Sequence, residues 1–145
     1  MNMFSAMEIA ASGLYAQRTR MNALASNLAN ARTTRTAEGG PYRRLDPVFE
    51  AVPATRGLPG GARGPGAFAS YLVEVAEMRP DDSPPQRLYD PGHPDADAEG
   101  FIELPNVNVV EEMVNMISAS RAYESGVSLV QTIERMAGSA LSIGA

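Results

Sequence analysis

The chain has 145 residues, one domain's worth, with 12 arginines, no lysine and 17 acidic residues giving a formal net charge of -5. That balance gives no electrostatic reason to expect a nucleic-acid partner, because phosphate binding needs a basic surface that releases counterions. Cysteine is absent, which excludes disulfides, thiolate metal sites and cysteine nucleophiles together.

From Met1 to Glu38 there is no proline and a single glycine, Gly13, among strong helix formers, so the composition predicts one long helix. Met7, Leu14, Met21 and Leu28 recur every seven residues, with Ala10, Leu24 and Ala31 at companion positions and Gln17 interrupting them. This is a coiled-coil-like seam. Such a helix would be about 50 Å long, too long for a compact domain of this size to cover, so part of it is expected to meet another chain. The same stretch lacks the basic start and the continuous apolar core of a secretory signal, and no apolar run reaches membrane-span length. Neither a cleaved signal peptide nor direct membrane insertion is expected.

From Gly39 to Gly100 the chain holds ten of its 11 prolines and nine of its 13 glycines, a density that breaks helices and favours short strands. Tyr42–Val52 is a strand candidate pushed towards a sheet edge by Pro47. Phe68–Met78 is a second, with Tyr71, Val73 and Val75 on one face. Gly57–Gly66 reads as a loop, and Asp81–Pro94 as an extended segment anchored by Leu88 and Tyr89. Asp95-Ala96-Asp97-Ala98-Glu99-Gly100-Phe101-Ile102 matches the first part of an EF-hand calcium loop, but the twelfth position is Asn106 in place of a bidentate glutamate and prolines precede it. A solvated acidic turn is the better reading. His93, the one histidine, has no nucleophile motif beside it and reads as a turn residue. Arg18, Arg20 and Arg121 read as solvated or paired arginines before they read as an anion site. No catalytic residue, metal site or cofactor is expected.

After Pro105 proline vanishes and a second long helix is predicted, capped by Asn108 with Glu111 three residues on. Two apolar stripes run along it. Met113, Met116, Tyr123, Val127 and Val130 lie on the first, and Ala119, Gly126, Leu129, Ile133 and Met136 on the second, a face too wide for one partner helix. The expected class is α+β: two long terminal helices forming a coiled-coil-like pair (1–38 and 106–145) around a small, β-rich and loop-rich middle (39–105). The helices would polymerise the chain through Met7, Leu14, Met21, Leu24, Leu28, Met113, Met116, Ile117, Tyr123, Val127, Val130, Ile133 and Met136. Alone, each helix would expose its seam and remain partly unfolded until it docks.

Two stretches carry a family resemblance. Ser12-Gly13-Leu14-Tyr15-Ala16-Gln17, with Arg20-Met21-Asn22 and Ala25-Ser26-Asn27-Leu28-Ala29-Asn30-Ala31, resembles the N-terminal signature of the bacterial flagellar rod and hook proteins. Glu112-Met113-Val114-Asn115-Met116-Ile117, with Arg121-Ala122-Tyr123-Glu124, resembles the C-terminal one. Tyr89–Asp97, Gly100-Phe101 and Leu104–Val107 look like the proximal-rod branch, and Gly126 departs from the polar residue expected there. The resemblance implies a non-enzymatic axial subunit of the basal-body rod, the hollow drive shaft that spans the periplasm and lets other axial proteins be exported. Its partners would be further copies of itself, the rod proteins FlgB, FlgF, FlgG and FliE, and the flagellar type III export apparatus. A soluble helical secretion chaperone or adaptor is the alternative.

Overall fold

The computed structural model describes residues 3–54 and 70–143; the predicted loop Gly57–Gly66 and the start of the second strand at Phe68 lie outside them. Two long helices, α1 (Met3–Ala29) and α2 (Val109–Ile143), flank four strands, β1 (Leu45–Pro53), β2 (Tyr71–Pro80), β3 (Gln86–Tyr89) and β4 (Phe101–Leu104). The class is the predicted α+β.

The first helix is shorter than its composition predicts. After Ala29 the Asn30 side chain donates to the Ser26 carbonyl at 2.9 Å and accepts from the Thr33 hydroxyl at 3.2 Å. Asparagine and threonine offer the backbone these local alternatives to helical hydrogen bonds, so the chain turns at 30–32 and runs irregularly to β1. The second helix starts where its cap predicts, with Asn108 Oδ1 accepting from the Val110 and Glu111 amides at 3.1 and 3.4 Å. No return bond from the Glu111 side chain is present among the described residues; Glu112 is the residue that turns inward.

α1 is the hub, packing against α2 and against both β1 and β2, whereas α2 lies further from the strands and shares a trough with Val73 of β2. Asn27 of α1 meets Glu112 near the start of α2, and Leu14 meets Gly126 further along, so the helices are antiparallel. A Cβ at Gly126 would lie 2.8 Å from Leu14 Cδ2, so glycine lets the backbone of α2 approach α1 there. The departure from the family pattern is an internal packing feature. By their spacing, Ser12, Ala16 and Ala23 share another face of α1. Ser12 Oγ accepts from the Val73 amide of β2 at 3.2 Å, and Ala16 and Ala23 are buried.

β1 and β2 form an antiparallel pair from Leu45↔Pro80 to Pro53↔Tyr71, with a bulge where Val48 faces Glu77 and Phe49 faces Val75. The extra residue, Ala76, shifts the alternation. Tyr71 is exposed while Leu72, Val73 and Val75 are half-buried, so the predicted Tyr71–Val73–Val75 face is not uniformly inward. Pro47 is tolerated because a two-stranded ribbon has only edges.

β3 and β4 pair from Gln86↔Leu104 to Tyr89↔Phe101. The sequence alone predicts extended or loop segments at both. Leu88 and Tyr89 are not buried anchors, being 51% and 63% exposed; Ile102 is the buried strand residue of this hairpin, and Gly100 in its loop is buried too. Gly100 closes its loop at φ +83°, where a Cβ would come within 2.9 Å of Tyr89 Cε2 and 3.2 Å of Pro91 Cβ. Gly100→Ala is therefore expected to destabilise the hairpin by about 1–3 kcal/mol, read as loss of amide-exchange protection across β3 and β4 with the α1–α2 contact unaffected.

Candidate functional site

The two signature stretches converge on one buried polar cluster. Asn27 is fully buried and Glu112 is 1% exposed. Asn27 Nδ2 donates to Glu112 Oε2 and to the Leu45 carbonyl, both at 3.0 Å. Its Oδ1 accepts from the Leu45 amide at 2.9 Å and from the Tyr42 hydroxyl at 3.0 Å. One amide side chain thus satisfies both backbone groups of Leu45, as a neighbouring strand would. Arg44 Nε donates to Glu112 Oε1 at 2.7 Å, and Arg44 also pairs with Asp46. Burial lowers the basicity of Arg44, but the hydrogen bond to Glu112 and the fields of Asp46 and Glu112 outweigh it and hold its pKa above the ordinary value. The cluster ties the end of α1, the start of α2 and the entry to β1, with Asn27 and Glu112 at its buried centre.

The predicted interface residues divide into three groups. Leu24 is buried, at 4% exposure. Met7, Leu14, Met21, Leu28, Met116, Tyr123, Val127, Val130 and Ile133 are half-buried, and Leu14 contacts Gly126 within the chain. Met113, Ile117 and Met136 face solvent at 52%, 57% and 68%. Val110 and Val114, not among the predicted residues, are 70% and 61% exposed; with Met113 and Ile117 they form a stripe at helical spacing on the first third of α2. An apolar trough of about 610 Å³ also opens between the helices beside Val73, lined by Ala10, Gly13, Gln17, Ala122 and Ile133 among others. Gln17 Oε1 is buried there without a hydrogen-bond partner among the described residues.

The acidic loop spends its carboxylates on the protein. Asp97 Oδ1 accepts from the Glu99 and Phe101 amides at 2.9 and 2.8 Å, and Oδ2 from Arg87 at 3.0 Å. Arg87 also lies 4.7 Å over the Phe101 ring. Asp95 Oδ2 accepts from the Thr34 hydroxyl at 2.8 Å, and Oδ1 lies 3.6 Å from Arg35, which ties the loop to the segment after α1. His93 Nδ1 accepts from the Asp95 amide at 3.1 Å, a turn role. No cluster of side chains able to hold a metal occurs among the described residues.

The Asp97 carboxyl is held below its ordinary value of 3.8, chiefly by the Phe101 amide and further by the Glu99 amide and Arg87, against a smaller desolvation effect. A depressed folded-state pKa means a contribution fully present above the unfolded value and lost as pH falls through the folded one. Titrating the Asp97 carboxyl by NMR should give a midpoint below 3.8, with loosening of the β3–β4 loop as it protonates. Added calcium should leave both the titration and the melting curve unchanged, because the carboxylates do not converge on one point; a calcium-dependent stabilisation would restore the calcium reading.

Among the described residues no helix is long and apolar enough to cross a membrane. Comparison with known proteins agrees with both signatures. Residues 7–35 match the family described as "Flagella basal body rod protein", and residues 98–143 match "Flagellar basal body rod FlgEFG protein C-terminal". The flagellar basal-body rod protein FlgC of Borreliella burgdorferi is 44% identical over 154 residues, covering 99% of this chain and 98% of the relative. FlgC of Salmonella typhimurium is 40% identical over 144 residues, covering 99% of both chains. FlgC of Bacillus subtilis is 37% identical over 155 residues, again covering 99% of both. These relatives give no support to a secretion chaperone or adaptor. The chain belongs to the FlgC family of flagellar basal-body rod proteins.

Proposed function

We propose that this chain is a non-enzymatic structural subunit of the flagellar proximal rod, polymerising through the outward faces of its terminal helices. Its neighbours are further copies of itself and the rod proteins FlgB, FlgF, FlgG and FliE. It reaches the periplasm through the flagellar type III export apparatus, and the rod it helps build transmits torque and passes later axial proteins through its lumen. The stripe Val110, Met113, Val114 and Ile117 carries this reading, since four large apolar side chains more than half exposed on one helix face mark an interaction surface.

The test is Ile117→Asp in a motile host. Because Ile117 is 57% exposed, the substitution should change the stability of the isolated chain by no more than about 0.5 kcal/mol. In cells it should stop rod assembly and motility, because docking would desolvate an unpaired carboxylate. Normal swimming with Ile117→Asp and with Val114→Asp would remove this face from the interface.

A further inference from the structure

The seam that joins α1 to α2 is nearly periodic. Met7, Leu14, Met21 and Leu28 repeat every seven residues; beside them Ala10 on α1 and Ala119 on α2 are small, and Leu24 is the large buried residue that does not recur, with Gln17 and Ala31 seven residues to either side. The close approach of Leu14 to Gly126 does not discriminate strongly. A slip of one heptad would offer Met7 or Met21 to Gly126, and methionine is unbranched and adaptable. α2 lies further from the strands than α1 does. Leu24 apart, apolar packing therefore leaves the axial register of the pair weakly determined.

The polar cluster does not repeat. Seven residues on from Glu112 lies Ala119, which has nothing to offer the Asn27 amide or the Arg44 guanidinium. Asn27 is itself fixed, since β1 holds it through both backbone groups of Leu45. Arg44 immediately precedes β1. We propose that Glu112 is the register-determining residue of the helix pair, selecting one axial alignment of α2 on α1 through its bonds to Asn27 and Arg44, independently of any contact with a neighbouring subunit. The logic is that of a single buried polar residue in a coiled coil, which fixes alignment at some cost in stability.

A stabilising role and a register role separate in one experiment. The chain has no cysteine, so Arg18→Cys and Arg135→Cys, both at exposed positions, accept two spin labels unambiguously. The labels are offset along the helix axes, so a one-heptad slip changes their separation by up to about 10 Å. With Glu112 in place, the full-length chain should give one narrow distance. Glu112→Met keeps the side-chain volume and leaves Arg44 paired with Asp46; it should keep the helices paired, by circular dichroism, while the distance splits or spreads. Glu112→Gln keeps one of the two acceptor oxygens, enough for Asn27 or Arg44 but not for both, and should give a distribution narrower than that of Glu112→Met. An unchanged narrow distance in Glu112→Met would assign the register to apolar packing and overturn the proposal. So would a broad distribution with Glu112 in place, which would leave no register to determine, or a spread in Glu112→Gln equal to that in Glu112→Met.

Discussion

Arg44→Met should lower the stability of the isolated chain by about 3–5 kcal/mol, the range for breaking a buried ion pair from one side. The loss comes from what is left behind. Glu112 is 1% exposed, and without Arg44 its Oε1 has no partner among the described residues while Oε2 keeps only the Asn27 amide. An ionised carboxylate in that position keeps its desolvation cost and loses its main compensation. For a chain of this length the midpoint of thermal unfolding should fall by roughly 10–15 °C, as read by circular dichroism. Adding Glu112→Met should recover most of the loss, because the stranded charge goes with it. A melting temperature within about 2 °C of the unsubstituted chain would mean that water reaches Glu112 and that the cluster is not a closed site.

The second large effect is at Leu24, which is 4% exposed on the α1 seam. Leu24→Ala should cost about 2–5 kcal/mol through lost burial and the cavity left behind. Leu24→Asp should cost more, since an unpaired charge adds desolvation, and should unfold the isolated chain at ordinary temperatures. Leu28→Asp, at a half-buried position, should cost less. The gradient from Leu24 through Leu28 to Ile117 separates residues that hold the chain together from residues that hold it to others, and chemical denaturation of three purified variants reads it directly. Equal, small losses at all three positions would mean that the helices are unfolded in the free chain, as their sequence taken alone predicts. In the structure the helices contact each other, so part of the seam is internal core and the remainder faces outward.

The sequence by itself determined what local physics can specify. Helical composition and periodicity located α1 and α2, Asn108 set the start of α2, Pro47 assigned β1 to an edge, and the signature stretches pointed to the family. Each of these is written within a window of one or two helical turns or a single strand. Tertiary structure decided the rest. Asn27 and Glu112 lie 85 residues apart; Asn27 looks like one asparagine among several near the end of α1, and Glu112 like a dipole-compensating residue of a first helical turn. Only when both are brought to Leu45 and Arg44 do they become a closed polar cluster. The β3–β4 pairing was illegible for a similar reason: four-residue strands with exposed faces carry too little alternation to announce themselves, and their register is fixed by Gly100 and by the Asp97 bonds across the loop. Which part of the seam is core and which is surface was also undecidable in one dimension. A heptad repeat specifies that a face will be covered; it does not say whether the cover is the other helix of the same chain or a helix of the next.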